Sequence, residues 1–438
     1  MNVTGKQVVV LGMGESGRAA AELLVTKGAD VIIRDSKMNE RIERVAERLR
    51  PQGVRVEVQP RPFHPCRIDL GVLSPGIDPS VPLVSQLRAD KVPIISEIEL
   101  AFRFCEKPVV AITGTNGKST TTELIAAVLT AGGKRTEACG NIGKPFSDVA
   151  RNAEDLDVIT LEVSSFQLEA IETFRPRMAV FLNFAPDHLD RYRDMDEYWK
   201  AKLRIFENQG PDDFALVNSD LSLPFLAARR ITFNAYGREA EYTFRDGWLC
   251  RHDKKIIEQS KTSLRGPHNA ENQLAALALG DLYGIDHETV AGVFASYRAL
   301  PHRCELVRQI EGVDYVNDSK ATNLHSLESA LQGMSTPCVL IAGGKDKGFD
   351  YAAIKDLVGR HVAHAVLIGE AQSRMVEAWG QRTRCHRAVD LADAVQTARR
   401  LARPGQTVLL SPGCSSYDMF KNFEERGQLF RELVKDLA

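Results

Sequence analysis

Short β-branched runs separated by amphipathic stretches recur along nearly the whole chain, and this rhythm restricts the fold more than any other feature. Two strands joined through a helix run parallel in one sheet, and a parallel sheet needs both faces covered. Residues 7–104 carry Val8-Val9-Val10-Leu11, Val31-Ile32-Ile33 and Val54 to Val58 as strands, with a helical pattern from Asn39 to Arg50. A break at Cys105-Glu106-Lys107-Pro108 precedes a new strand, Val109 to Thr113, and a second α/β series then runs to residue 299. Between Ile231 and Glu258 the pattern becomes glycine-punctuated and strand-like, which predicts a small antiparallel patch. From His302 a third series begins, with Cys338 to Ala342, Ala365 to Ile368 and Thr407 to Leu410 as strands. A chain of 438 residues at roughly 150 per domain fits three α/β domains, expected over 1–104, 105–299 and 300–438.

Composition removes several classes of function. Lys and Arg number 56 against 58 Asp and Glu, so the chain lacks the broad positive field of a nucleic-acid binder. Hydrophobic residues at 44% and charged residues at 26% are those of a globular protein rather than a disordered one. The eight cysteines are scattered singly, with no C-x-x-C pair, and indicate neither a zinc site nor a disulfide framework. Met1 to Lys6 lead straight into a strand, and no apolar stretch approaches the roughly 18 residues of a membrane span. A reduced, cytoplasmic, monomeric protein without membrane or nucleic-acid partners is expected.

Three strings carry phosphate or metal chemistry. Gly12-Met13-Gly14-Glu15-Ser16-Gly17 follows a strand and opens a helix, with Asp35 at the end of the next strand. Such glycines bring backbone amides up to a diphosphate, while the acid is placed for a ribose hydroxyl; the same turn also occurs with no ligand. Gly114-Thr115-Asn116-Gly117-Lys118-Ser119-Thr120 lies between strand and helix, where amides and a lysine cradle the β- and γ-phosphates of ATP and hydroxyls reach Mg²⁺. The strict phosphate-loop pattern wants a glycine where Ile112 stands. Glu162, with Ser164 and Ser165, ends a third strand, the edge where ligands bind in open α/β sheets.

Lys202 falls three and four residues from Trp199 and Tyr198, and from Ile205 and Phe206, in a helix expected over Asp196 to Glu207. That places it on the apolar stripe, either snorkelling to water or held for a purpose. His188, in Asn183-Phe184-Ala185-Pro186-Asp187-His188, is a metal ligand or an ordinary loop histidine. Further polar loops follow at His268-Asn269, Asn317 to Asn323, Gly343 to Lys347 and Ser411 to Phe423; turn and cap chemistry also accounts for any one of them alone.

Together these segments resemble the Mur ligase family over nearly the full length. Gly114 to Thr120, Asn269 with Asn272, His302-Arg303 and Asn317 to Asn323 are similar to its ATP and inter-domain motifs. The glycine-rich amino terminus, Ser74-Pro75-Gly76-Ile77, Gly343 to Lys347 and Ser411 to Gly427 resemble its D-glutamate-adding branch. The resemblance implies an α/β protein with Rossmann-like first and third domains around a P-loop ATPase-type middle domain. It implies ATP with Mg²⁺, UDP-N-acetylmuramoyl-L-alanine and D-glutamate as ligands, and an amide formed through an acyl phosphate.

By the same resemblance Gly14, Glu15, Ser16, Gly17, Asp35, Ser36, Lys37, Gly76, Asn141 and His188 would hold the UDP-sugar. Gly114 to Thr120, Asn269, Asn272, Arg303 and Asp318 would hold ATP. Ser119, Glu162, His188 and Lys202 as its carbamate would serve metal, with Lys118, Glu162, His188 and Lys202 catalytic. Thr322, Lys347, Ser416, Tyr417 and Phe423 would seat D-glutamate. The rivals are a nicotinamide-dependent oxidoreductase resting on Gly12 to Gly17 and Asp35, a non-enzymatic nucleotide-sugar binder, and a family member adding another amino acid.

Overall fold

The computed structural model describes residues 1–36, 38–58, 68–78, 80–188, 191–298, 301–334 and 336–437. Three sheets organise the chain. The first contains β1 (Gln7–Leu11), β2 (Asp30–Asp35), β3 (Arg55–Val58), β4 (Leu70–Leu73) and β5 (Ile94–Ser96), all parallel in the order β3-β2-β1-β4-β5. This is the Rossmann-like winding, with the order reversing at β1, where the Gly12 loop emerges.

The second sheet is built from β6 (Val109–Thr113), β7 (Thr136–Gly140), β8 (Val158–Glu162), β9 (Met178–Phe181), β10 (Phe214–Asn218), β11 (Arg229–Asn234), β12 (Tyr242–Arg245), β13 (Trp248–Arg251) and β14 (Lys254–Glu258). Its order is β14-β13-β12-β11-β10-β9-β6-β8-β7. Only the β12-β13 and β13-β14 pairs are antiparallel, as the glycine-punctuated stretch predicted. The strands β6, β8 and β9 are wholly buried, because helices cover both faces of the sheet.

The third sheet contains β15 (Glu305–Ile310), β16 (Val313–Asn317), β17 (Cys338–Gly343), β18 (Val362–Ile368), β19 (Arg384–Arg387) and β20 (Thr407–Leu410), in the order β15-β16-β20-β17-β18-β19. The strands expected here, β17, β18 and β20, are joined by an antiparallel hairpin and an edge strand that the hydrophobic pattern does not announce. The hairpin turns through Glu311 and Gly312 at φ 50° and 77°, the positive values that a two-residue turn requires. The strand β19 is short and half exposed, so it lacks the apolar run that marks its neighbours.

The chain divides into two compact units. The first comprises residues 1–184, 196–258 and 271–294 and carries the first two sheets. Within it the helix Glu15–Thr26 meets the helix Phe146–Ala150 through charges: Arg18 reaches Asp148 at 2.5 Å, and Arg151 reaches Glu22 at 2.9 Å. Glu99, fully buried in the helix Glu97–Phe104, accepts the amides of Glu172, Thr173 and Phe174 at 3.0, 2.9 and 2.8 Å. The second unit comprises residues 185–195, 259–270 and 295–438 and carries the third sheet. The helix expected over Asp196 to Glu207 spans Met195–Leu203 and tightens into a 3-10 turn over Arg204–Phe206.

Candidate active site

The loop after β6 is held from two sides. Gly117 has φ 81° at the start of the helix Lys118–Ala131, and a Cβ there would run into Oδ1 of Asn272, so glycine is required for both conformation and space. Asn183, just past β9, clasps the loop with its side chain: Oδ1 accepts the Asn116 amide at 2.9 Å, and Nδ2 donates to the Asn116 carbonyl at 3.2 Å. The Asn183 carbonyl takes the Thr115 amide at 3.0 Å. The amide of Asn272 joins from its own helix, its Oδ1 accepting the Thr121 hydroxyl at 3.0 Å. Lys118 lies over the loop and donates to the carbonyls of Gly114 and Thr115 at 3.1 and 2.7 Å. Ser119 and Thr120 are buried behind it.

The neighbouring strand ends add a carboxylate and an amide. Glu162 ends β8, is 2% exposed, and accepts Nδ2 of Asn141 at 2.8 Å on one oxygen. Its other oxygen, Oε2, is buried with no hydrogen-bond partner. A buried carboxylate oxygen left without a donor is costly unless a cation takes it. Among the described residues no group of three or more His, Cys, Asp or Glu side chains is arranged as a metal cage. Mg²⁺ bound to nucleotide does not need one, since phosphate and water oxygens fill most of its shell.

Lys202 lies on the apolar stripe and is buried at 1% exposure, which decides against the snorkelling alternative. Its Nζ donates to the Gly114 carbonyl at 2.7 Å and lies 4.8 Å from the centre of the Tyr198 ring. The Tyr198 hydroxyl is 3.3 Å from that of Thr115. Thus the structure gathers Gly114 to Thr120, Asn141, Glu162, Lys202 and Asn272 around one loop in the first unit.

At the amino-terminal loop, Gly17 sits so close to the Gly12 carbonyl that a Cβ would collide with it, which explains the third glycine. Asp35 accepts the Met13 amide at 2.7 Å and the Ser36 amide at 2.7 Å, so its carboxylate braces the turn in addition to any ligand contact. Glu15 turns onto Arg18, its Oε2 at 3.0 Å from Nε, which draws its charge away from the loop amides. Gly76 and Ser36 are exposed; Lys37 lies outside the described residues.

The second unit holds the remaining expected residues. Asp318 accepts the Ser411 hydroxyl at 2.9 Å and the Cys304 amide at 3.2 Å; burial pushes its carboxyl up to about 6, against the pull of those bonds and the Arg303 charge. His188 stands at φ 56°, beside buried Asp187. Asp187 accepts Nδ2 of Asn323 at 2.9 Å and faces Nζ of Lys347 at 3.4 Å. Burial alone would raise this carboxyl, but His188, Lys347 and the Asn323 bond hold it below its ordinary value.

Asn269 donates to the Arg265 carbonyl at 2.9 Å. Ser416 is buried, Thr322 and Phe423 are half-buried, and Tyr417 is 72% exposed. The sequence marks Asn183 and Asp187 only as members of the string around His188, and Tyr198 only as a neighbour on the Lys202 stripe, without the contacts they make. Each occupies a recognisable string, but only the strand order shows what it touches.

Residues 6–96, 112–280 and 302–414 match, in turn, the Mur ligase MurD-like N-terminal domain, the Mur ligase middle domain and the Mur ligase glutamate ligase domain. A protein of Geobacter sp. (strain M21) named UDP-N-acetylmuramoylalanine--D-glutamate ligase is 41% identical over 445 residues, covering 99% of this chain and 98% of that protein. The chain belongs to the Mur ligase family. A relative of the same name from Trichlorobacter lovleyi is 42% identical to this Mur ligase over the full length of both. The solved UDP-N-acetylmuramate-alanine ligase of Thermotoga maritima shares the ligase fold, with a TM-score of 0.64 at 19% identity, covering 98% of this chain and 99% of that one. Family membership makes this an ATP-dependent ligase and sets aside the oxidoreductase built on Gly12 to Gly17 and Asp35. No helix among the described residues is long and apolar enough to cross a membrane.

Proposed function

We propose that this Mur ligase joins D-glutamate to UDP-N-acetylmuramoyl-L-alanine at the expense of ATP, in the cytoplasmic assembly of a peptidoglycan precursor. The loop Gly114 to Thr120, braced by Asn183 and Asn272 and bordered by Glu162, is the observation that carries this reading, together with relatives of that name at full length.

In the reaction an oxygen of the alanine carboxylate attacks the γ-phosphorus, the bond to the β-phosphate oxygen breaks, and ADP leaves. The amine of D-glutamate, having lost a proton, then attacks the acyl carbon; the carbon–oxygen bond to phosphate breaks and the amide forms. Lys118 and the loop amides meet the charge that develops on the transferring group. The residues about Gly12 to Gly17, with Asp35, Ser36, Gly76 and Asn141, would seat the UDP-sugar, with His188 also assigned to it. Asn269, Asn272, Arg303 and Asp318 would hold the nucleotide. Thr322, Lys347, Ser416, Tyr417 and Phe423 would hold D-glutamate.

Mg²⁺ fits the donors present. In the first unit Ser119 offers a hydroxyl and Glu162 its unpartnered Oε2, and Lys202 would join them as a carbamate; the family resemblance also gives His188 a metal role. Bound there with the nucleotide, it would neutralise phosphate charge. An ammonium beside such a cation is repelled: unit charges at 4 Å interact by about 4 kcal/mol at an effective dielectric of 20, and a divalent ion doubles this. A Lys202 amine that loses its proton and adds CO₂ becomes a carbamate, which reverses the sign. Carbon-13 NMR of the protein in labelled bicarbonate should show a carbamate resonance that Lys202→Ala abolishes. Identical spectra for the two proteins would remove the carbamate from the reading.

Phosphate release with UDP-N-acetylmuramoyl-L-alanine, ATP and Mg²⁺ tests the function directly. Release should depend on D-glutamate and fall to background with L-alanine or diaminopimelate. Preference for either of those would assign the ligase to another branch, and no phosphate with any acceptor would overturn the proposal.

A further inference from the structure

Beneath the ATP loop lies a buried acid that the reaction does not use. Glu271 belongs to the helix Pro267–Leu282, is 5% exposed, and precedes Asn272. Its Oε1 accepts Nδ2 of Asn218, the last residue of β10, at 2.5 Å. Asn218 is fixed in turn, its Oδ1 accepting Nδ2 of Asn234 from the end of β11 at 3.2 Å and the Asp220 amide at 3.0 Å. A chain of side-chain amides therefore runs from two strand ends to the helix that carries Asn272. On the far side of that step, Asn272 accepts the Thr121 hydroxyl and occupies the space that a Cβ on Gly117 would need.

We propose that Glu271 is a positioning residue of the nucleotide site, acting through Asn272, and that its protonation is coupled to ATP binding. The proposal rests on the assignment of Gly114 to Thr120 and Asn272 to ATP. The groups facing Glu271 are neutral Asn218 and the carboxylate of Asp220, itself paired with Arg238 at 2.6 Å. Burial pushes the Glu271 carboxyl up to about 8, with the Asn218 bond opposing and Asp220 adding to the rise. At neutral pH the acid is therefore mostly uncharged. Ionised, it would set a negative charge one residue from the amide that lines the phosphate loop, in a medium of low dielectric. A polyanion bound at that loop disfavours this ionisation, and by linkage the ionisation weakens the polyanion's binding to the same degree.

Titrating the full-length protein with ATP by calorimetry between pH 7 and pH 9.5 tests the coupling, with Glu271→Gln as the neutral isostere. The wild type should lose affinity about three- to tenfold across this range, while Glu271→Gln loses none beyond what the ligand and other groups impose. Glu271→Ala, which removes the clasp, should weaken ATP at every pH, and its melting temperature reports whether the fold survives. Equal pH dependence in wild type and Glu271→Gln would overturn the coupling, and normal affinity in a folded Glu271→Ala would overturn the positioning role. Absence of ATP binding by the wild type at pH 7 would instead defeat the functional assignment itself.

Discussion

Lys118→Ala should lower turnover about 10²- to 10³-fold while leaving the fold intact, because it deletes a preorganised cation from the place where phosphoryl charge develops. The side chain already lies over the loop, held by the carbonyls of Gly114 and Thr115 at 3.1 and 2.7 Å, so little reorganisation stands between the resting position and a phosphate oxygen. Those two bonds also supply the competing explanation, in which Lys118 merely caps loop carbonyls. The two roles separate in measurement. A capping lysine costs a degree or two of melting temperature and a modest change in KM, whereas a transition-state cation costs kcat and leaves melting nearly unchanged. Turnover within tenfold of wild type, measured by phosphate release, would remove Lys118 from catalysis. Lys118→Arg should recover only part of the loss, since the guanidinium is planar and bulkier than the ammonium it replaces.

Glu99→Ala should destabilise the first unit by about 3–5 kcal/mol, a value set by what is left behind rather than by what is removed. The carboxylate is fully buried, accepts three consecutive amides and the Thr173 hydroxyl at 2.7 Å, and meets Nε of Arg103 at 2.6 Å. Removing it strands the buried Phe174 amide, takes the acceptor from the Glu172 and Thr173 amides, and leaves the partly exposed Arg103 with Glu172 as its remaining carboxylate. Urea unfolding would measure the loss, and a change below about 1 kcal/mol would show that water or Glu172 replaces the carboxylate.

Acid gives an independent check on Glu99. Burial alone would raise the carboxyl, but the bonds from Thr173, the Glu172 amide and Arg103 hold it below its ordinary value of 4.5. Its contribution is therefore complete above that value and fades as pH falls through the folded one. Wild-type stability should drop in that acid range by more than the variant's does.

Much of the site was legible as strings. Gly114 to Thr120 announced a phosphate loop because strand, glycines, lysine and helix occupy a short stretch of sequence. Periodicity places Lys202 on the apolar stripe, among four aromatic and aliphatic neighbours at helical spacing, but leaves a snorkelling ammonium open; the tertiary structure buries the side chain. The hairpin over 305–317 is signalled in the sequence only by Glu311-Gly312, because alternating exposure along β15 dilutes the apolar run. Asn183, Tyr198 and Glu271 could not be assigned from spacing. Their partners stand at sequence separations of 67, 83 and 53 residues, and an asparagine or glutamate in a loop or helix start reads as ordinary cap chemistry.

The order of residues by itself determined the α/β class, the place of each glycine-rich turn and the chemistry those turns suit, since these depend on periods and motifs within one strand–loop–helix unit. Only the tertiary structure decided that β9 and β8 flank β6, which brings Asn183 and Glu162 to either side of the loop, and that a helix from beyond β14 brings Asn272 against Gly117. The reason is physical. Local pattern fixes which face of an element is apolar, whereas the choice of neighbours in a parallel sheet rests on long crossovers and on side-chain packing summed over distant segments.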